Sequence, residues 1–114
     1  MPGAPYERLD GFGGASPMRT AAFEQITVAG TAVGFTAATI APSGATNTPA
    51  TMATVTVETA PVRYRTDGTA PTASVGTLLN IGDRITVWGQ GDVAAIQFIR
   101  TTGTSATIDC EYSR

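Results

Sequence analysis

Apolar and polar residues alternate along several short segments of this chain of 114 residues. The clearest segment is TMATVTVET, where Val55 and Val57 are directed to one side and threonines to the other. A period of two is the spacing of a β-strand that buries one face. The same reasoning predicts further strands in AAFEQITVAG, VRYR, TLLNIG, RITVWG, AAIQFIRT and ATIDCEY, and a short one around Val33 and Phe35.

The segments between these candidates are rich in turn-forming residues. Gly82-Asp83, Gly91-Asp92 and Thr102-Gly103-Thr104 are expected to form tight connections, and APSGATNTPA is expected to form a loop. No window shows an apolar stripe at helical spacing together with capping residues, so no helix is predicted. The pattern predicts an all-β domain over residues 21–114, an antiparallel β-sandwich or jelly-roll-like barrel of seven or eight strands.

Residues 1–20 have a different composition, with closely spaced glycines and prolines. Proline removes a donor for strand pairing and glycine raises the entropic cost of ordering, so one interpretation is a disordered leader. Tyr6, Leu9 and Phe12 are nevertheless spaced through the segment, and a purely solvating tail does not need them. The interpretation we favour is an extended arm whose apolar residues bind a neighbouring subunit.

Charge and hydropathy narrow the range of partners. Charged residues make up 14% of the chain and the net charge is −2, with seven arginines and no lysine. Nucleic-acid binding normally requires a basic surface, so neither DNA nor RNA is the expected ligand. No apolar run approaches the length of a membrane span, and no signal peptide is recognised, so synthesis in a cytoplasm is expected. The low charge favours a protein that packs against a partner.

The residue inventory argues against an enzyme. The chain has no histidine and one cysteine, Cys110, whose position between Ile108 and Tyr112 on one strand face predicts a buried hydrophobic role. No cofactor or metal motif is present, and a calcium site formed by Asp67, Asp83 or Asp92 is the remaining metal alternative. GQGDV at 89–93 lacks the lysine and helix of a phosphate-binding loop and is predicted to be a turn.

Two places are candidates for partner binding. In VRYRTDGTAPTASVG, the Asp-Gly pair, Pro71 and Gly76 are typical of turns, which leaves Arg63, Tyr64 and Arg65 as possible contacts. Trp88 lies on the opposite side of its strand from Ile85 and Val87. If those two residues face the core, Trp88 faces outward, as a protein contact or a sugar platform; the reverse register would bury it.

The run VRYRTDGTAPTASVGTLLNIGDRITVWG, followed by IQFIRTTGTSATIDCEY, resembles small virion proteins from the structural gene clusters of tailed bacteriophages. The shared pattern is R-x-R-x-D-G-x-x-P-T-x-x-x-G-x-x-L with a later F-I-R-T-x-x-T-S-A, and it spans about residues 55–113. The resemblance implies a non-enzymatic β-domain that decorates or cements a capsid, or that occupies a head or tail accessory position. It carries no catalytic residues.

These observations lead to one functional expectation and two alternatives. The chain is expected to be a capsid cement or decoration subunit at the virion surface, binding the major capsid protein and its own copies, with a trimer as one oligomeric form. Its expected contacts are Tyr6, Leu9, Phe12, Arg63, Tyr64, Arg65 and Trp88. The alternatives are a carbohydrate- or receptor-binding module that uses Trp88, Tyr64 and Arg63, and a head–tail or tail accessory protein.

Overall fold

The computed structural model describes residues 20–42 and 49–114. Strands dominate this part of the chain, as the alternating pattern predicts. The strands are β1 Thr20–Val28, β2 Met52–Val57, β3 Val62–Arg65, β4 Thr77–Leu79, β5 Arg84–Trp88, β6 Gln97–Arg100 and β7 Ala106–Ser113, and the helices are α1 Ala37–Ile40 and α2 Gln90–Ala95.

The strands form two antiparallel sheets. The larger sheet has the order β1-β7-β2-β5, and the smaller sheet has the order β4-β3-β6. The predicted all-β class is therefore confirmed. The jelly-roll-like barrel is wrong, because each sheet ends in edge strands and the described strands do not close into a barrel.

Side chains from both sheets form one hydrophobic core. Val28, Val55 and Ile108 of the larger sheet are fully buried, as are Val62 and Phe98 of the smaller sheet. Strand alternation directs these residues inward because successive side chains point to opposite faces. The valines of β2 thus face the core as predicted, with the threonines between them half-buried on the other face.

Aromatic rings occupy the middle of this core. Phe35 lies 5.0 Å from the ring of Tyr112 and 5.7 Å from that of Phe98, measured between ring centroids. Tyr64 also packs against Phe98, at 6.1 Å between ring centroids. Cys110 is fully buried on the same face as Ile108 and Tyr112, as the alternation predicts.

The local predictions were wrong in two regions. Residues 89–93 were expected to form a turn, but Gln90–Ala95 is a short helix that begins after Gly89, and the next strand starts only at Gln97. Helix α2 buries Val93 alone and is too short to show a helical repeat in the sequence.

The predicted strand around Val33 and Phe35 is likewise absent. Val33 makes a single bridge with Phe98, Phe35 enters the core, and helix α1 follows at once. Helix α1 is a single turn, and such a turn has no periodic signature that sequence reasoning could detect. The predicted arm at 1–20, with Tyr6, Leu9 and Phe12, lies outside the described residues except for Thr20, which begins β1.

Candidate functional site

The outer face of the larger sheet is the side of β1, β7, β2 and β5 that points away from the core. Strand register defines its rows, because residues directly opposite one another on paired strands share a face. Its four rows are Thr20–Ser113–Met52–Trp88, Phe23–Glu111–Thr54–Thr86, Gln25–Asp109–Thr56–Arg84 and Thr27–Thr107.

Two aromatic side chains stand on this outer face. Trp88 is 62% exposed on edge strand β5, and Phe23 is 58% exposed on edge strand β1. They lie three strands apart and two residues apart along the strands, which corresponds to about 16 Å between their Cα atoms. No helix or strand of the described residues covers either ring. These are the two largest exposed apolar side chains in the described chain.

Trp88 was predicted to face outward if Ile85 and Val87 face the core. That prediction is confirmed, since Val87 is 5% exposed and Ile85 packs against the core. Sequence reasoning did not select Phe23. The available signal was an aromatic residue on the polar side of an alternating strand, opposite in phase to Ile26 and Val28.

A shallow acidic depression lies beside Phe23 on the outer face. Its volume is about 200 Å³. Asp109 accepts a hydrogen bond from the Gln25 side chain at 2.9 Å, and Arg84 donates to the Thr56 hydroxyl at 3.3 Å. The lining consists of Phe23, Thr54, Thr56, Glu58, Arg84, Asp109 and Glu111.

Two carboxyl groups of the depression interact directly. The hydrogen bond and the negative charge of Asp109 raise the pKa of Glu58 above its ordinary value. The same hydrogen bond, with that from Gln25, lowers the pKa of Asp109. As the pH falls, Glu58 is therefore protonated before Asp109. The depression remains net negative near neutral pH.

The candidate residues on β3 have partners within the chain. The Arg63 guanidinium donates to the carbonyl oxygens of Ala73 at 3.0 Å and Gly76 at 2.9 Å, so it fastens the loop before β4. Arg65 forms an ion pair with Asp67, which raises the pKa of the guanidinium and lowers that of the carboxyl group. These contacts explain most of the VRYRTDG motif as local architecture.

An open groove of about 530 Å³ lies next to this loop. The β3 residues that line it are Tyr64, on the inner side against Phe98, and Arg65, on the outer side. Its full lining is Tyr64, Arg65, Thr66, Asp67, Val75, Gly76 and Thr77.

The structure does not bring the predicted sugar-site residues together. Trp88 lies on the larger sheet, whereas Arg63 and Tyr64 lie on β3 of the smaller sheet and point to opposite faces of it. Trp88, Tyr64 and Arg63 therefore do not share one sheet face. Phe23 is the exposed aromatic residue that shares the outer face with Trp88.

The described residues offer no metal cluster. Within residues 20–42 and 49–114, no three histidine, cysteine or acidic side chains are grouped to hold a metal ion. Burial raises the pKa of the Cys110 thiol to about 12. No helix in the described part of the chain is long and apolar enough to cross a membrane.

Comparisons with known proteins give no relative. No protein-family model matches the chain, and no match was found among curated proteins or solved structures.

Proposed function

We propose that this chain is a structural protein of a tailed bacteriophage virion, a cement or decoration subunit that binds the major capsid protein at the capsid surface. The observation that carries the proposal is the outer face of the larger sheet, where Phe23 and Trp88 are exposed at opposite edges of a paired surface four strands wide and are available for contacts between the subunits of a shell. Exposed aromatic residues of this kind are typical anchors of protein–protein interfaces.

The chemistry of the outer face favours adhesion over catalysis. Thr54 and Thr86 lie with Glu111 between the two aromatic residues, and their hydroxyl groups can both donate and accept hydrogen bonds. Strand pairing on both sides of β2 and β7 fixes the positions of these side chains. A preorganised surface loses little conformational entropy when a partner binds.

The proposed fold is a β-sandwich in which the smaller sheet packs over the inner face of the larger one, with residues 1–20 as an extended arm. The shared core of the two sheets supports the sandwich. The resemblance of residues 55–113 to phage virion proteins supports the location. Its R-x-R-x-D-G part corresponds to the end of β3 and the ion-paired turn described above.

The proposed mechanism is mass action. A subunit that binds only the assembled shell stabilises that shell relative to its dissociated parts. Bridging requires each copy to contact more than one neighbour, and the proposal includes a second copy of the subunit among them. A total buried area of about 1,200–2,000 Å² is typical of stable interfaces and is feasible for a domain with an arm.

Addition of the purified protein to empty phage heads that lack it tests the proposal. We expect it to bind in hundreds of copies per particle, in a fixed ratio to the major capsid protein, and to raise the temperature at which the heads rupture. Quantitative gel densitometry gives the ratio. About a dozen copies or fewer would indicate the head–tail or tail accessory alternative, and no binding would refute both.

A carbohydrate-binding function is the second candidate, favoured by the exposure of Trp88 beside Thr86. Sugars stack on exposed aromatic rings and hydrogen-bond to neighbouring polar groups. A glycan array with the wild-type protein and the folded Trp88→Ala variant separates the two functions. Glycan binding that is lost in Trp88→Ala supports this candidate, and an empty array favours the cement function.

A further inference from the structure

We propose that the outer face of the larger sheet binds the N-terminal segment 1–19 of a second copy of this chain, with Tyr6, Leu9 and Phe12 lying across the surface between Phe23 and Trp88. The inference rests on the proposed function, because a bridging subunit must contact its neighbours. It adds the identity of the partner at this face.

The first argument is the length match between the segment and the face. Tyr6, Leu9 and Phe12 are three residues apart. A polyproline II conformation has three residues per turn and rises about 3.1 Å per residue, so these side chains would share one side over about 19 Å. Pro2 and Pro5 favour that conformation. The distance between Phe23 and Trp88 on the face is about 16 Å.

The second argument is the apolar surface that remains exposed to solvent on this face. Aromatic side chains bury roughly 150–250 Å² each when covered, and more than half of Phe23 and of Trp88 remains exposed. Met52 lies between them, paired directly with Trp88. A row of three apolar side chains from the segment would cover these exposed surfaces together.

The third argument is charge. The depression beside Phe23 carries Glu58, Asp109 and Glu111, with Arg84 as its only basic residue. The side chains of segment 1–19 carry no net charge, since Arg8 and Arg19 are balanced by Glu7 and Asp10, so the electrostatic contribution is limited to a local pairing of the Arg8 guanidinium with these carboxylates. Arginine suits such a pairing because its guanidinium is only weakly hydrated.

The point at which the segment joins the domain makes exchange between copies feasible. Thr20 pairs with Ser113 after a register shift between Thr20 and Ala22, at the end of edge strand β1 nearest to Met52 and Trp88. The segment therefore leaves the domain at the rim of this face. Nineteen extended residues span up to about 60 Å, which is enough to cross to an adjacent domain.

Two full-length variants test the proposal. The arm variant carries Tyr6→Ser, Leu9→Ser and Phe12→Ser; the face variant carries Phe23→Ser and Trp88→Ser. Sedimentation velocity should show oligomers for the wild type and monomers for each variant alone, with self-association weakened by about 30-fold or more, as for hot-spot aromatic residues. Far-UV circular dichroism verifies that both variants are folded.

Mixing the two variants gives the decisive result, since the arm variant keeps an intact face and the face variant keeps an intact arm. We expect an equimolar mixture to form a 1:1 complex. Trp88 is the single tryptophan of the chain and is present only in the arm variant, so a shift of its emission to shorter wavelength on mixing reports occupation of the face. A Val75→Ser, Leu78→Ser variant, altered at exposed residues outside this face, should behave as wild type.

Several outcomes would overturn the proposal. A wild type that is monomeric would show that the segment stays on its own domain or binds nothing. Oligomers that persist in either variant, or a mixture without a complex or emission shift, would place the contact elsewhere. These measurements contain no phage heads. Self-association without binding to heads therefore refutes the proposed function alone, and binding of monomers to heads refutes this inference alone.

Discussion

The hydroxyl group of Tyr112 donates a hydrogen bond to the carboxylate of Glu24 inside the larger sheet. Tyr112 is fully buried on β7, and Glu24 lies on the inner face of the edge strand β1. The same carboxylate accepts hydrogen bonds from the backbone N–H of Thr36 at 3.2 Å and from its hydroxyl group at 2.6 Å. Glu24 thus connects the edge of the sheet to the start of helix α1.

Removal of this carboxylate should destabilise the domain. Glu24→Ala leaves the Tyr112 hydroxyl and the Thr36 amide without their partner, and we expect the free energy of unfolding to fall by about 2–3 kcal/mol. Tyr112→Phe leaves the Thr36 contacts in place and should cost about 1 kcal/mol. Urea denaturation measures both. Glu111→Ala, on the exposed outer face, is the control, and an equal loss in that variant would contradict the role of Glu24.

Burial and the contact with Glu24 also raise the pKa of the Tyr112 hydroxyl above its ordinary value of 10. Because the folded protein then holds this proton more tightly than the unfolded chain, Tyr112 makes stability fall as the pH rises above 10. Urea midpoints of wild type and Tyr112→Phe between pH 8 and 11 test this. The wild type should lose stability more steeply, and parallel curves would contradict the prediction.

Gly76 is a position where the backbone requires glycine. Its φ is +134°, and an added Cβ would lie 3.1 Å from the Tyr64 carbonyl oxygen and 3.2 Å from Pro71 Cβ. We expect Gly76→Ala to cost about 2–3 kcal/mol through strain and displacement of the loop.

Gly68→Ala is the matched control, because Gly68 also has a positive φ, +84°, but has open space around it. Its cost should stay near 1 kcal/mol, the backbone contribution alone. Thermal or urea unfolding of both variants gives the comparison. Equal losses would show that the close packing around Gly76 contributes nothing.

The two arginines of β3 should differ in their effect on the neighbouring loop. Arg63→Ala removes two hydrogen bonds to the carbonyls of Ala73 and Gly76, and we expect a loss of about 1–2 kcal/mol. Hydrogen exchange at the amide of Val75, which bonds within this loop, should become faster.

Arg65→Ala provides the comparison, since its ion pair with Asp67 is solvent-exposed and should leave the urea midpoint close to that of wild type. Exchange at Val75 should also remain unchanged in this variant. Faster exchange in Arg65→Ala than in Arg63→Ala would contradict the assignment of the loop contact to Arg63.

The Glu58–Asp109 pair should titrate in two separate steps. Carbon-detected NMR should give Glu58 a pKa above 4.5 and Asp109 a pKa below 3.8. Asp109→Asn should return the pKa of Glu58 towards its ordinary value, because the hydrogen bond and charge that raise it are changed. An unchanged Glu58 titration in this variant would refute the coupling.

The two groups affect stability in opposite directions. The folded state holds the Glu58 proton more tightly than the unfolded chain, so this residue makes stability fall as the pH rises above 4.5. Asp109 holds its proton less tightly when folded, so its contribution is present above pH 3.8 and is lost as the pH falls through its lowered pKa.

Alternation along the sequence was sufficient to predict most strands and their inward faces. Val55, Val57 and Ile108 are buried as their spacing predicts, and Trp88 points outward, which is one of the two registers that the alternation of β5 allows. These predictions succeed because side-chain direction in a strand depends only on position along the chain, with a period of two. Turn residues such as Gly82-Asp83 can also be predicted from the sequence, because their backbone preferences are local.

The tertiary structure decided what depends on contacts between distant segments. The strand order places Phe23 and Trp88 on one face of the larger sheet and Tyr64 on the smaller sheet. Arg63, a candidate partner contact in the sequence, instead donates a hydrogen bond to the Gly76 carbonyl oxygen in the loop before β4. Helix α2 buries Val93 against the domain, and no periodic pattern in the sequence predicts this helix. Pairing partners lie far apart in sequence, and local propensity contains no information about which of them will meet.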